Sequence, residues 1–215
     1  MGDESLADSD IHTHWGLDPS VLFLNHGSFG ACPRPVLALQ RGLREQMEAE
    51  PVRFLGSGLE PLWDEARASL AAFIGSDPAD VVFVPNATAG VNTVLASLRF
   101  SPGDELLVTD QEYNACRNAL EVVARRAGAR VVVAAVPFPA ASPEEALVAI
   151  LRRATERTRL LLVDQVVSQT ALVMPVAALV REMAARGVET LVDGAHGPGM
   201  LPLDLSSLGA AYYTG

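Results

Sequence analysis

Short apolar runs alternate with amphipathic segments from about residue 80 to the end of the chain. Such runs are typical of strands buried on both faces, and the amphipathic segments between them predict helices. The predicted strands cover residues 81–84, 106–108, 130–136, 160–163 and 190–192, and a last one arrives within 208–215. The predicted helices cover about 87–98, 115–127, 143–154 and 175–186. This alternation predicts an α/β fold in three layers, α/β/α, around a mainly parallel sheet.

The first 80 residues have a different pattern. Apolar residues at helical spacing predict a helix over 36–49 with one buried stripe, formed by Val36, Leu39, Leu43 and Met47. A second helix is expected to begin near Pro61 and to end at Gly75. Between an apolar run and the first helix, residues 25–30 predict a tight loop with two glycines. We therefore expect an N-terminal extension over 1–20 and one large domain over 21–215.

The charge balance limits the partners of this chain. Its 215 residues include 26 acidic ones and 16 arginines but no lysine, which gives a formal net charge of −10. An acidic chain is a poor match for nucleic acid or an anionic membrane, because phosphate groups attract basic patches. The N-terminus lacks the pattern of a secretory signal, so we predict a cytoplasmic protein. Without lysine, no reaction that needs an internal lysine can run on these residues alone.

Several kinds of site have weak or missing sequence signals. A dinucleotide fingerprint, a P-loop and a nucleophile elbow are all missing from the sequence. Cys32 and Cys116 are far apart, and we expect both to be reduced, buried thiols. His12 and His14 have the spacing of metal ligands but lie in a polar tail, so we predict no metal site there.

Residues 85–90 are a candidate anion site. They place small residues at the start of a predicted helix, after a predicted strand. Exposed amides at a helix start and the helix dipole favour an anion, so a phosphate could bind the amides of Ala87 and Thr88 and the Thr88 hydroxyl. The alternative is that Asn86 simply caps the helix.

Two more candidates follow predicted strands. Asp193 comes directly after an apolar run, where it is either a cap or a buried carboxylate that needs a cation such as a protonated ring nitrogen. His196 could reach the same ligand. Tyr113 could present its ring as a stacking platform, or it could be an ordinary core residue. Ligands of open parallel sheets bind beyond the carboxyl ends of the strands, so we expect Thr88, Tyr113, Asp193 and His196 to converge there.

These strings, in this order and at these spacings, resemble the large domain of the class V, fold type I pyridoxal-phosphate enzymes. The strings Asn-His-Gly-Ser-Phe-Gly at 25–30 and Val-Asp-Gly-Ala-His at 192–196 carry most of the resemblance. With the segment 50–55 they are most similar to the isopenicillin N epimerase-like group of that family. The resemblance covers nearly the whole chain from Leu22 onward.

The resemblance implies roles for individual residues. Pyridoxal 5'-phosphate would be the cofactor, with an amino acid as the small-molecule substrate and a homodimer as the intact parent's assembly. The residues implied to hold the cofactor are Ala87, Thr88, Tyr113, Ser168, Asp193 and His196. Asn25 and His26 would face the substrate. Within residues 164–168, Gln165 and Val167 replace a common His and a polar residue of the family.

The family's imine-forming lysine would follow soon after residue 215. We therefore expect the chain to be the N-terminal part of a longer enzyme that labilises a bond at the α-carbon of an amino acid, inactive as this fragment. Epimerases, aminotransferases, cysteine desulfurases and carbon–sulfur lyases all remain open. A non-catalytic degenerate fragment and a phosphate-binding protein with another ligand are the alternatives outside that chemistry.

Overall fold

The computed structural model describes residues 10–215, which divide into two compact units. The first unit runs to Ala66, and the second covers Arg67–Gly215, so the boundary lies within one long helix. Residues 1–9 of the predicted extension lie outside the described part, and the predicted domain limit at residue 20 stays a prediction. Within the described part, no helix is long and apolar enough to cross a bilayer.

The first unit is helical. Its helices are α1 (His26–Phe29), α2 (Arg34–Ala49), α3 (Pro51–Arg53) and the start of α4 (Leu59–Ile74), with a π-helical turn at Phe54–Gly58 and a 3-10 turn at Asp10–His14. The predicted helix over 36–49 is confirmed, but the segment predicted as a tight loop at 25–30 contains the helical turn α1. The stripe on α2 was predicted to be buried, and this is wrong, because Val36 is exposed and Leu39 is 65% exposed. Periodicity identifies an apolar face and does not say what covers it.

The second unit is an α/β structure with five strands in the described chain. The strands are β1 (Glu105–Thr109), β2 (Arg130–Ala134), β3 (Thr158–Asp164), β4 (Glu189–Asp193) and β5 (Tyr212–Thr214). The helices after the end of α4 are α5 (Ala87–Ser97), α6 (Asn114–Ala127), α7 (Pro143–Leu151), α8 (Val176–Ala184) and α9 (Leu205–Leu208). All strand pairs are parallel, in the order β2-β1-β3-β4-β5. The predicted mainly parallel sheet is therefore confirmed.

Successive residues of each strand point to opposite faces of the sheet, and both faces are covered. On β3, Leu160 and Leu162 pack with α5 and α6, whereas Leu161 and Val163 pack with α7 and α8. These strands are continuous apolar runs because neither face is solvated. The predicted three layers are confirmed.

The strand predicted over 81–84 is wrong. The segment forms no strand, and Val82 is 77% exposed. Its apolar, β-branched residues give it strand propensity, but a strand exists only where a neighbour supplies a hydrogen-bonding edge. The predicted ends of the flanking helices are correct: Gly75 follows α4 with a φ of +66°, and Asn86 caps α5 by accepting a hydrogen bond from the amide of Ala89 at 2.8 Å.

A buried glutamate supports the amino edge of the sheet. The side chain of Glu105, at the start of β1, accepts hydrogen bonds from Thr155 at 2.7 Å and from Arg130, and it forms an ion pair with Arg157 at 3.2 Å. The hydrogen bond from Thr155 and the two arginines lower the pKa of Glu105, although burial opposes them. Because one carboxylate joins three segments, its charge contributes to the stability of the fold.

We expect Glu105→Gln to lower the free energy of unfolding by about 1–3 kcal/mol at neutral pH, the usual range for hydrogen bonds to a charged group. The pKa of Glu105 is lower in the folded state, so its contribution is present above about pH 4.5 and is lost as the pH falls further. Urea unfolding at several pH values measures this. Glu189→Gln, at the exposed start of β4, is the matched control. Equal losses for both variants at neutral pH would contradict the prediction.

Candidate functional site

The carboxyl ends of three neighbouring strands bring polar residues together. The chain leaves β1 in one direction to form β2 and returns to the other side to form β3, so the strand order reverses between β1 and β3. In parallel sheets, ligands bind at such a switch point. Glu112 follows β1, Asp164 ends β3 and Asp193 ends β4, so the topology collects their carboxyl groups at one edge.

Asp193 accepts hydrogen bonds through both of its carboxyl oxygens. Its side chain is 3% exposed. One oxygen, Oδ1, accepts a hydrogen bond from the Ala195 amide at 3.0 Å, and Oδ2 accepts one from the Cys116 thiol at 3.1 Å. Both donors are neutral. The carboxylate is therefore held in position without being neutralised by them, as a site for a cationic ligand group requires.

Asp164 and Asp193 lie side by side because they are register partners on β3 and β4. Paired residues on adjacent strands point to the same face, here the face covered by α5 and α6. Burial and, to a smaller extent, the charge of Asp193 raise the pKa of Asp164 to about 7, while the Tyr113 backbone opposes the shift. Two buried carboxyls this close favour a state in which only one is ionised.

Glu112 adds a third buried carboxyl to the same place. It is 3% exposed, and its pKa is raised well above the usual range, first by burial and then by the charges of Asp164 and Asp193. The backbone amide of Asp164 is near enough to lower the pKa of Glu112 slightly. Neither oxygen of Glu112 has a hydrogen-bond partner among the described residues. Burial and these two charges therefore favour the protonated form of Glu112.

The start of α5 reaches the same cluster. The Asn86 side chain accepts a hydrogen bond from the amide of Ala89. The amides of Ala87 and Thr88 belong to the same first turn of α5. The Thr88 side chain lies near enough to the Cys116 thiol to lower the pKa of that thiol, and Cys116 donates a hydrogen bond to Asp193 Oδ2. Thr88 and Asp193 therefore both lie near the Cys116 thiol, and their predicted role as one binding site stays a prediction.

The remaining predicted site residues of the second unit lie in the loops after the strands. Tyr113 is 44% exposed and sits at the N-cap of α6, and its backbone contacts Asp164. His196 is half-buried in the turn that follows Asp193, where the Gly197 amide donates to the Gly194 carbonyl. Ser168 is exposed, four residues beyond the end of β3. The structure brings Tyr113 to the carboxyl cluster and places His196 and Ser168 at the same edge.

Asn25 and His26 belong to the first unit. Asn25 precedes α1, and the ring of His26 packs edge-to-face against Phe23, with ring centroids 4.7 Å apart, and against Trp15 at 5.9 Å. Their predicted contact with substrate stays a prediction.

A second polar pair borders the turn after β4. The Tyr213 hydroxyl donates to Gln165 Oε1 at 2.6 Å, and both side chains press on the glycines of the turn. A Cβ atom at Gly194 would overlap the Tyr213 ring, and one at Gly197 would overlap Gln165 Oε1. Burial and the charge of Asp193 raise the pKa of Tyr213 to about 12, so its hydroxyl keeps its proton. Because Gly194 and Gly197 have no Cβ atom, the side chains of Tyr213 and Gln165 can lie directly against the turn after β4.

Three residues of the cluster were not predicted as site residues: Glu112, Cys116 and Asp164. Their one sequence signal is position, since each lies at or soon after the end of a buried strand. Cys116 is a buried free thiol, as expected, but Cys32 is exposed, which corrects the expectation for it. Possible ligand atoms of Glu112, Cys116 and Asp193 lie within 4.8 Å of one another. A thiol must lose its proton to bind a metal, and burial and Asp193 raise the pKa of Cys116, so this arrangement favours a shared proton over a metal ion.

Residues 33–215 match the family described as Aminotransferase class-V. The chain is 42% identical over 199 residues to isopenicillin N epimerase from Streptomyces clavuligerus, covering 93% of this chain and 50% of that protein. It is 43% identical over 202 residues to isopenicillin N epimerase from Amycolatopsis lactamdurans, with the same coverage. A putative L-cysteine desulfhydrase 1 from Oryza sativa subsp. japonica is 34% identical over 92% of this chain and 44% of its own length.

Solved structures have the same fold. The K223A mutant of C-DES, with glycine covalently linked to its PLP cofactor, superposes with a TM-score of 0.82 at 25% identity, over 89% of this chain and 51% of that one. The cysteine desulfurase CsdA from Escherichia coli gives 0.81 at 23% identity over 94% and 52%, which supports the fold alone. The chain spans about half the length of the curated relatives it matches.

We expect Asp164→Asn to stabilise the chain more at pH 8 than at pH 5. The pKa of Asp164 rises on folding from its usual 3.8 to about 7, so the folded state binds more protons and loses stability as the pH rises through that range. The asparagine variant has no such charge to bury. Each pKa unit is worth about 1.4 kcal/mol, so the gain at pH 8 is at most a few kcal/mol. Urea unfolding at both pH values measures it, with the exposed Asp80→Asn as control. A gain that is equal at both pH values would rule out ionisation of Asp164 as its source.

Proposed function

The chain belongs to the class-V aminotransferase family, and we propose that it is the cofactor-binding part of a pyridoxal-phosphate enzyme acting at the α-carbon of an amino acid. The observation that carries the proposal is the Asp193 carboxylate, buried at the end of β4 and held by two neutral donors. Pyridoxal phosphate serves as an electron sink when its ring nitrogen stays protonated, and a buried carboxylate favours that state.

The residues of the cluster fit the two ends of such a cofactor. Asp193 would pair with the protonated ring nitrogen. The amides of Ala87 and Thr88 at the start of α5, with the Thr88 hydroxyl, would hold the phosphate. The half-exposed ring of Tyr113 would stack on the pyridine. His196 and Ser168, in the loops after β4 and β3, would approach the phenolic oxygen.

The reaction class follows from the relatives named above. An isopenicillin N epimerase-like activity is our first proposal, because those relatives share 42–43% of their aligned residues with this chain. A desulfhydrase or carbon–sulfur lyase activity is the second, supported by the 34% identical desulfhydrase. Both would begin by labilising a bond at the α-carbon of an amino acid. Asn25 and His26 are the proposed substrate contacts, and a homodimer and a cytoplasmic location complete the proposal on the basis of the sequence resemblance.

We expect Asp193→Asn to weaken binding of pyridoxamine 5'-phosphate, an aminated form of the cofactor that needs no lysine, by about 10- to 100-fold. The amide cannot balance the charge of a protonated ring, and a tenfold change corresponds to about 1.4 kcal/mol. Absorbance titration measures both affinity and the protonation of the ring. Asp110→Asn, at the end of β1, is the control, because asparagine can still accept the hydrogen bond that Asp110 takes from the Val136 amide. If both variants bind as tightly as the unmodified chain, Asp193 does not hold the ring.

We expect these 215 residues to bind pyridoxal phosphate without a covalent bond. The sequence has no lysine, so the α-amino group at the N-terminus is the remaining amine for an imine. Reduction with borohydride followed by mass spectrometry of proteolytic peptides will detect any adduct. An adduct on an internal peptide would contradict the prediction, as would steady turnover of an amino acid by this chain.

A further inference from the structure

The carboxyl group of Glu112 has no part in the cofactor contacts proposed above. It lies between β1 and α6, is 3% exposed, and neither of its oxygens has a hydrogen-bond partner among the described residues. An unpartnered buried polar group costs about 1–3 kcal/mol, so its position calls for an explanation. The explanation lies in the groups that surround it.

Glu112 faces the group that holds Asp193. Carboxyl oxygens of Glu112 and Asp193 and the Cys116 sulfur lie within 4.8 Å of one another. Cys116 is four residues after Glu112 and already donates to Asp193 Oδ2. A carboxylate oxygen has two acceptor positions, so Asp193 can accept another hydrogen bond besides those from Cys116 and Ala195. When Glu112 is protonated, its O–H is a donor without an acceptor, whereas the Cys116 thiol already donates to Asp193.

The titratable groups around Glu112 come from four elements. Asp164 lies on β3, Asp193 on β4 and Cys116 on α6, while Tyr213 faces Asp193 from β5. Each of these four groups becomes negative when it loses its proton, and none of them can become positive. An ionised Glu112 would therefore add a buried charge beside like charges, which is far less favourable than a neutral acid that donates to one of them.

We propose that Glu112 is a positioning residue for the cofactor ring: it remains a neutral acid and donates its proton as a hydrogen bond to Asp193, the one carboxylate left to face the ring nitrogen. This inference rests on the proposed function. No bond other than the O–H···O hydrogen bond forms, and the proton stays on Glu112. The arrangement orients the charge of Asp193 and adds no second negative charge to the site.

Infrared spectroscopy of the 215-residue chain tests the neutral acid directly. At pH 7 the carbonyl absorption of protonated carboxyl groups should include one component that disappears in Glu112→Gln and persists in Asp164→Asn, while Asp164, with a pKa of about 7, contributes a component of its own. If Glu112→Gln removes no carbonyl component from the Asp164→Asn variant, Glu112 is ionised, and the inference is overturned. This readout needs no cofactor, so its outcome is independent of the proposed function.

Binding of pyridoxamine 5'-phosphate tests the positioning role. Glu112→Ala should lose about tenfold in affinity and shift the pH at which the bound ring changes its absorbance. Glutamine is neutral and still donates, so Glu112→Gln should recover most of that affinity. Should Glu112→Gln bind as poorly as Asp193→Asn, the charge of Glu112 would be what matters and the inference fails.

The same titration separates the two proposals. Equal binding by the unmodified chain and by both Glu112 variants, with weaker binding by Asp193→Asn, overturns the role of Glu112 and leaves the proposed function intact. If the unmodified chain does not bind the probe, or Asp193→Asn binds equally well, the proposed function fails and the positioning role fails with it. Thermal unfolding of each variant identifies loss of folding, and Glu112→Gln preserves the test if Glu112→Ala does not fold.

Discussion

Parallel register forces acidic side chains together at one buried edge of the sheet, and the rest of the site is arranged around that charge. Asp164 and Asp193 are partners on adjacent strands, so neither can leave the face covered by α5 and α6 without a change of register. A shift of one residue would also turn every apolar side chain of the strand to the wrong face. The apolar core thus fixes the position of the carboxyl groups.

Neutral hydrogen-bond donors and raised pKa values limit the number of negative charges at this edge. Cys116 and the Ala195 amide hold Asp193, and the raised pKa values of Asp164, about 7, and of Glu112 favour the uncharged forms of those two acids. At the opposite edge of the sheet, a buried acid keeps its charge. The Thr155 hydrogen bond and two arginines lower the pKa of Glu105, so its carboxylate stays ionised. An acid that faces arginines supports the fold. An acid left without them can serve a ligand.

Periodicity was sufficient to predict the five strands and most of the helices of the second unit, because the central strands β1, β3 and β4 are buried over most of their length. It was wrong for residues 81–84, where strand propensity is present but no neighbour pairs with the segment, and for the α2 stripe, where no cover is specified. Of the site, Thr88 and Asp193 were predictable, since helix starts and strand ends are local signals. Glu112 and Cys116 were not, because their importance comes from Asp193, 77 residues beyond Cys116 in the chain.

The site has two poles of opposite sign, which separates the proposed cofactor from a simple anion. The start of α5 offers amides and a partial positive charge, whereas Asp193 offers a negative one, and the Cys116 thiol, which donates to Asp193, lies near Thr88. A free phosphate would satisfy the first pole and leave the carboxylate unbalanced. A ligand that carries an anion at one end and a protonated ring nitrogen at the other balances both. In a chain with a net charge of −10 and no lysine, this local polarity is what can select such a ligand.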